Sequence, residues 1–217
     1  MHVTSELLLQ AYTCGVFPMA KSRDDHDVYW VQPKERGTIP LDKFHVPRSM
    51  KKLLRRQVFD VRVNSAFNDV MMECAQVRSS RSDTWINEQI IEIFTDLHKA
   101  GLAHSVETWK DGKLVGGLYG LSMGAVFFGE SMFTKASNAS KYALCHLVAI
   151  MKEGNYCLLD TQFTTDHLSR FGAVAISHND YMAKLETALS QIAVFEGPLP
   201  YSSIERLLSL QSKTQTS

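Results

Sequence analysis

The chain has no surplus of charge of either sign, with 23 Lys and Arg against 23 Asp and Glu. A neutral total excludes the overall basicity of a general nucleic-acid binder, so only local clustering can mark such a surface. Cysteine is sparse, and Cys14, Cys74, Cys145 and Cys157 lie far apart. No CxxC pair or zinc-ligand spacing is present, which excludes a zinc module and a dithiol redox site. The thiols read as reduced and buried in a cytosolic protein. No apolar run approaches the roughly 20 residues of a membrane span. The opening segment MHVTSELLLQAY lacks a basic stretch followed by an apolar one, so no signal peptide is expected and the reading is cytoplasmic. Glycine-based phosphate motifs are absent too. Gly116, Gly117, Gly120, Gly124 and Gly129 do not form GxGxxG, and there is no Walker loop. No internal repeat and no long apolar heptad stands out, and a monomer is expected.

What remains is an ordinary globular composition: 217 residues, 45% hydrophobic and 21% charged. Prolines at 18, 33, 40 and 47 punctuate the first sixty residues. Thr4 is placed to cap a helix over residues 4–13, ended by Gly15. Residues 28–31 read as a short strand, and 36–40 as a second strand or turn. Pro47 opens a basic helix, RSMKKLLRR. After Asp60 come a strand at 61–63 and helices over 66–76 and 87–99. Three strands follow at 104–109, 113–121 and 125–128, joined at Asp111-Gly112 and Met123-Gly124 as antiparallel hairpins. A helix over 140–153 precedes a buried strand over 156–159. Short helices at 166–171 and 180–193 close the fold, and the tail SLQSKTQTS reads as frayed. This order predicts an α+β chain: a small N-terminal lobe over 1–60 and a domain over 61–217 built on a mixed sheet. The succession of elements resembles the GNAT acyltransferase fold, an analogy that assigns no function by itself.

Some residues sit where plain folding does not need them. Glu130 lies among Phe127, Phe128, Met132 and Phe133, where an unpaired carboxylate is costly. A single polar group in apolar company suits a small-substrate pocket; the plainer alternative is an ion pair with Lys135 or Lys141. Asp160 and Gln162 follow the apolar run CLL at a strand end, where an acid beside an amide can orient or relay a proton. Alternatively Asp160 only caps the next turn. His104 and His167 are candidate bases or simply structural. Arg48, Lys51, Lys52, Arg55 and Arg56 form a cationic helix face suited to phosphates, or a solvated surface. Trp85, in the polar segment SDTWIN, is a stacking platform for a base or a core anchor.

Taken together, the segments AYTCGVFPM, YWVQPKERGTIPL, FHVPRSMKKLLRR, TWINEQI, LHKAGLAHSVETW, LVGGLYGLSMGAVFFGESMF, NASKYAL, LLDTQ and DHLSRFGA resemble, in order, the bacterial leucyl/phenylalanyl-tRNA–protein transferases. The resemblance runs from about Leu7 to Leu185. It implies transfer of leucine or phenylalanine, with methionine as a further candidate, from aminoacyl-tRNA to proteins that begin with Arg or Lys. The product is marked for N-degron degradation. It also implies no cofactor: no acetyl-CoA, metal or nucleoside triphosphate, because the aminoacyl ester is already activated.

The same resemblance distributes roles. Asp160 and Gln162 match the catalytic acid and amide, and Glu130 an acid at the pocket that meets the substrate amine or the basic acceptor residue. Leu118, Phe127, Phe128, Met132 and Leu159 are candidates for the apolar pocket. Trp85 matches a residue that stacks on the terminal adenosine, and Met19 stands where relatives often carry Trp. The basic helix from Arg48 to Arg56 matches the contact with the tRNA acceptor stem. Thr161 replaces a frequent Cys between Asp160 and Gln162, with little effect expected. Three rivals stay open: an acyl-CoA-dependent GNAT enzyme, a non-catalytic tRNA-binding protein, and a related transferase acting on acidic N-termini.

Overall fold

The computed structural model describes residues 3–76 and 84–213, apart from the side chains of 210–213. Helix α1 spans Ser5–Thr13, and the Thr4 hydroxyl caps it by accepting from the Leu7 amide at 3.2 Å. The chain then forms a two-stranded antiparallel sheet from β1 (Phe17–Ala20) and β2 (Val28–Val31). The side chains of β1 are mostly buried, and the Ala20 amide bonds to the Trp85 carbonyl at 3.1 Å.

Seven strands form the main sheet. They are β3 (Glu35–Ile39), β4 (Asp60–Val63), β5 (Ala103–Lys110), β6 (Lys113–Met123), β7 (Val126–Thr134), β8 (Leu158–Gln162) and β9 (Val174–Ser177). Their order across the sheet is β4-β5-β6-β7-β8-β3-β9. All neighbours are antiparallel except β7 and β8, so the sheet is mixed and the chain is α+β. Strand β3 lies within the first sixty residues yet sits between β8 and β9, well inside this sheet.

Several boundaries differ from the sequence reading. Strand β7 continues past Phe128 to Thr134, carrying Glu130 within it. Strand β8 starts at Leu158 and not at Tyr156, because the Tyr156 amide is taken by Met151 and the Cys157 amide by Ala125. Strand β9 was not anticipated. It is short and largely exposed. The helix over 180–193 is α7, His178–Leu189, and it is not the last. Helix α8 follows at Tyr201–Lys213, so Ser209–Lys213 of the supposed frayed tail are helical. Residues 214–217 lie outside the described part.

The other helices are α2 (Arg48–Arg55), α3 (Phe67–Cys74), α4 (Glu88–Lys99), α5 (Ala139–Glu153) and the short α6 (Asp166–Ser169). Asn87 caps α4 by accepting from the Ile90 amide at 2.9 Å. Alternation along the strands sends neighbouring side chains to opposite faces of the sheet. Phe128, Tyr119 and Leu121 pack in one apolar cluster with α1, α3, α4 and α7. Phe127, Leu118 and Leu159 pack in the other with α2, α5 and α8. Helix α5 is apolar on nearly all sides and correspondingly buried.

Candidate active site

The parallel pair β7 and β8 sets up the site. The strands pair at Val126↔Leu158, Phe127↔Leu159 and Phe128↔Asp160. Beyond those positions β7 runs on to Thr134 and β8 to Gln162 without further pairing to each other. Residues just past the parting point face a shared cavity of about 420 Å³. Its apolar wall includes Leu118, Met132, Leu144, Leu147, Leu159 and Leu168; Glu130 and Gln162 are among its polar groups.

Two local distortions aim those polar groups. On β6 and β7, Gly120 faces Gly129 and Tyr119 faces Ser131, so Glu130 is the unpaired residue of a β-bulge. A bulge bends its strand and redirects a side chain. It is tight here: a Cβ on Gly120 would lie 2.2 Å from the Phe128 carbonyl oxygen. On β8, Gln162 has φ +55, and the Phe163 amide bonds to the Thr161 carbonyl at 2.6 Å. That is the rare γ-turn of positive φ, a strained form that persists only when its surroundings hold it. Gly37 of β3 lies against the turn, and a Cβ there would be 2.4 Å from the Phe163 carbonyl carbon.

Hydrogen bonds tie the two distortions together. The Tyr12 hydroxyl donates to Glu130 Oε1 at 2.7 Å, and Gln162 Nε2 donates to the same oxygen at 3.2 Å. Glu130 is therefore not in an ion pair with Lys135, which instead pairs with Glu73. Burial pushes the Glu130 carboxyl up to about 8. The Tyr12 bond opposes that rise, nearby Asp160 adds to it, and Arg36 opposes it. A carboxyl in that range changes charge readily when a cation arrives beside it.

Asp160 is fully buried and held differently. Arg36 Nε lies 3.0 Å from Oδ1 and Nη2 lies 2.7 Å from Oδ2. The Tyr181 hydroxyl donates to Oδ2 at 2.7 Å, and the Gln162 backbone amide donates to Oδ1 at 2.8 Å. Asp160 thus grips the backbone of Gln162, while the Gln162 side chain turns to Glu130. The turn-capping reading of Asp160 describes this contact. Arg36 itself is sandwiched between the Phe17 and Tyr181 rings at 4.5 and 4.7 Å, and its Nη1 donates to the Gly15 carbonyl at 2.9 Å.

The remaining sequence candidates fall in three groups. Met19, Trp85, Leu118, Met132, Leu159 and His167 line the cavity with Glu130 and Gln162. Phe127 and Phe128 do not, because they point to opposite faces: Phe127 stacks on Phe195 and Phe128 meets the edge of Tyr12. His104 is also elsewhere, stacked on Phe195 at 4.2 Å, with burial lowering its pKa to about 4. Arg48, Lys51, Lys52 and Arg55 lie on α2 and Arg56 caps its C-terminus; the helix anchors itself to α5 and α8 through buried Met50 and Leu54. None of the five has an ion-pair partner among the described residues, and all but the half-buried Lys51 are exposed.

Sequence reasoning passed over Arg36, Tyr12, Tyr181 and the helix residues Leu144 and Leu147. Arg36 followed by Gly37 just before the β-branched pair Thr38-Ile39 was the available signal for a strand that could bury a charge. Among the described residues no group of His, Cys, Asp and Glu is arranged to hold a metal ion, and no helix is long and apolar enough to cross a membrane.

Residues 38–186 match the sequence profile described as leucyl/phenylalanyl-tRNA protein transferase, and residues 1–34 match that of its N-terminal domain. The leucyl/phenylalanyl-tRNA–protein transferase of Paramagnetospirillum magneticum is 54% identical over 194 residues, 89% of this chain and 93% of its own length. That of Maricaulis maris is 53% identical over 213 residues, 98% of both chains. Among solved structures, a functionally unknown conserved protein from Staphylococcus epidermidis aligns at TM-score 0.40 and 10% identity, over 82% of this chain and 66% of that one.

Proposed function

The chain belongs to the leucyl/phenylalanyl-tRNA protein transferase family, and on that footing we propose that it moves leucine or phenylalanine from aminoacyl-tRNA onto proteins beginning with Arg or Lys. Methionine is a further candidate for the same pocket. The acceptor's α-amine attacks the ester carbonyl, a peptide bond forms, the ester C–O bond breaks, and the amine's proton ends on the ribose oxygen that leaves. The product carries a destabilising first residue. The single observation that carries this reading is one cavity holding an aliphatic wall, two polar groups that meet each other, and Trp85 with Met19.

Roles follow from chemistry. Leu118, Met132, Leu144, Leu147 and Leu159 would receive the aminoacyl side chain. Such a wall separates side chains by only about 1–3 kcal/mol per methylene, which fits more than one apolar amino acid. Trp85 and Met19 would hold the terminal adenosine. Glu130 meets a substrate amine, and Gln162 orients it. Asp160, closed in by Arg36 and Tyr181, has no oxygen left to take a proton and acts by holding Gln162. Residues 1–60 carry the acceptor-stem contact on α2, and 61–217 carry the chemistry, although β3 ties the two together. The order of its helices and strands around a mixed sheet is what favours a GNAT-like architecture for the second unit. A monomer acting in the cytoplasm completes the reading.

The test is transfer of radiolabelled leucine from Leu-tRNA to peptides beginning with Arg, Asp or Ala. Labelling of the Arg peptide alone, lost in Glu130→Ala, is expected. Labelling of the Asp peptide would replace the acceptor assignment, and tRNA binding without transfer would favour an RNA-binding protein.

A further inference from the structure

Glu130 is the unpaired residue of a bulge, so its backbone alone does not fix where its carboxylate points. Two donors do so, and both reach the same oxygen. Tyr12 and Gln162 converge on Oε1, at 2.7 and 3.2 Å. No donor among the described residues takes Oε2. One oxygen is therefore tied to the protein and the other is open at the cavity wall.

Tyr12 is well placed for such a task. Its ring is fully buried and meets Phe128 edge-on, with centroids 4.7 Å apart. Helix α1 ends just after it, and there the Gly15 carbonyl accepts from buried Arg36 at 2.9 Å. The hydroxyl therefore hangs from a fastened helix end. It also couples α1, in the part matched by the N-terminal family profile, to the bulge on β7.

We infer that Tyr12 is a positioning residue for the transfer reaction: its hydroxyl holds Glu130 Oε1 so that Oε2 receives the amine entering the cavity. The inference rests on the functional reading above. The groups facing Glu130 are Tyr12 from α1, Asp160 and Gln162 from β8, Arg36 from β3 and Tyr181 from α7. Of these, the Tyr12 hydroxyl and Arg36 favour the ionised carboxylate, whereas burial and Asp160 oppose it. Loss of the hydroxyl therefore moves the Glu130 titration to higher pH, as well as freeing the side chain to turn.

The experiment compares wild type, Tyr12→Phe and a protein with 3,5-difluorotyrosine at position 12, using Leu-tRNA and an Arg-initiated peptide from pH 6 to 9. The Phe variant keeps the ring and its packing, and near-UV circular dichroism checks the fold. We expect kcat to fall about 10- to 100-fold, the worth of a hydrogen bond to a charged group. KM for Leu-tRNA should stay within about twofold, because phosphate contacts dominate that term. The acidic limb of kcat/KM should move to higher pH in Tyr12→Phe and to lower pH with the stronger fluorinated donor. An unmoved limb in both proteins, or a KM change as large as the kcat change, overturns the role of Tyr12. Failure of wild type to transfer leucine at all would overturn the functional reading instead.

Discussion

Arg36 faces Asp160 edge-on, Nε to Oδ1 at 3.0 Å and Nη2 to Oδ2 at 2.7 Å, with both side chains shut away from solvent. This pair stands between two adjacent strands, β3 and β8, and its second consequence is the posture of Gln162. Removing one partner leaves the other charged and buried, which costs about 3–5 kcal/mol. Arg36→Met is therefore expected to lower stability by about that much, read as a fall in the urea midpoint. Arg36→Lys keeps the charge but loses the fork, so it should recover part of the stability and little of kcat. A fully active Lys variant would show that the geometry of the fork does not matter.

Gly37 sits where any side chain would press on the turn that carries Gln162. An added Cβ would lie within 2.4 to 2.8 Å of the Phe163 and Thr164 backbone. Gly37→Ala must push the turn away, and with it the Gln162 amide that lies 3.2 Å from Glu130. A displacement of about 1 Å at a reacting centre costs on the order of 100-fold in rate. The expected result is a loss of kcat of that order with tRNA binding retained, measured by single-turnover transfer and filter binding. Equal losses in both would mean that the strand itself had come apart.

Glu130 also leaves a mark on stability. Its folded pKa of about 8 lies above the ordinary Glu value of 4.5, with burial the main cause. The sign follows from proton counts. Above pH 4.5 the unfolded carboxyl ionises freely while the folded one holds its proton, so stability falls as pH rises from about 4.5 to about 8 and is level beyond. Glu130→Gln lacks this loss. The difference in Tm between the variant and wild type should grow in the variant's favour across that window. A constant difference from pH 5 to 9 would place the Glu130 titration elsewhere.

Much of this site could be read from residue types, and the unread part has a physical reason. Glu130, Asp160 and Gln162 stood out because polar groups at the ends of apolar runs need a purpose. Arg36 did not, since residues 36–40 read equally as a short strand or a turn; only the sheet order shows that β3 is an inner strand. Nothing in the sequence marks Tyr12: its ring is core, and the hydroxyl's partner is 118 residues away. Phe127 and Phe128 were both assigned to the pocket, although period-two alternation means adjacent strand residues cannot share a face. Strands were legible where turn residues bracketed them, as Asp111-Gly112 and Met123-Gly124 do for β5, β6 and β7, and were missed in β9, which is short and largely exposed.

Helix α2 offers a test by salt. Lys52 and Arg55 are exposed and anchored only through the apolar side of the helix, Met50 and Leu54. If they neutralise tRNA phosphates, each should contribute about one unit to the slope of log K against log salt. Lys52→Ala with Arg55→Ala should therefore weaken tRNA binding and flatten the slope by about two, leaving the folded stability near that of wild type. An unchanged slope would make α2 a solvated surface and move the acceptor stem elsewhere.

Met19 and Trp85 line the same cavity, and β1 is fastened beside Trp85 by the Ala20 amide bond to its carbonyl. A base between them would stack on an indole on one side and rest on a thioether on the other. An aromatic platform is worth about 1–3 kcal/mol per base, and methionine supplies less because it is flexible and not planar. Met19→Trp is expected to tighten binding of aminoacyl-tRNA, lowering KM by about 3- to 10-fold at one salt concentration. Trp85→Ala should raise it by more. The tightening should appear equally with Leu-tRNA and Phe-tRNA, because the adenosine is common to both. A gain confined to one of them would mean that position 19 touches the aminoacyl side chain and not the base.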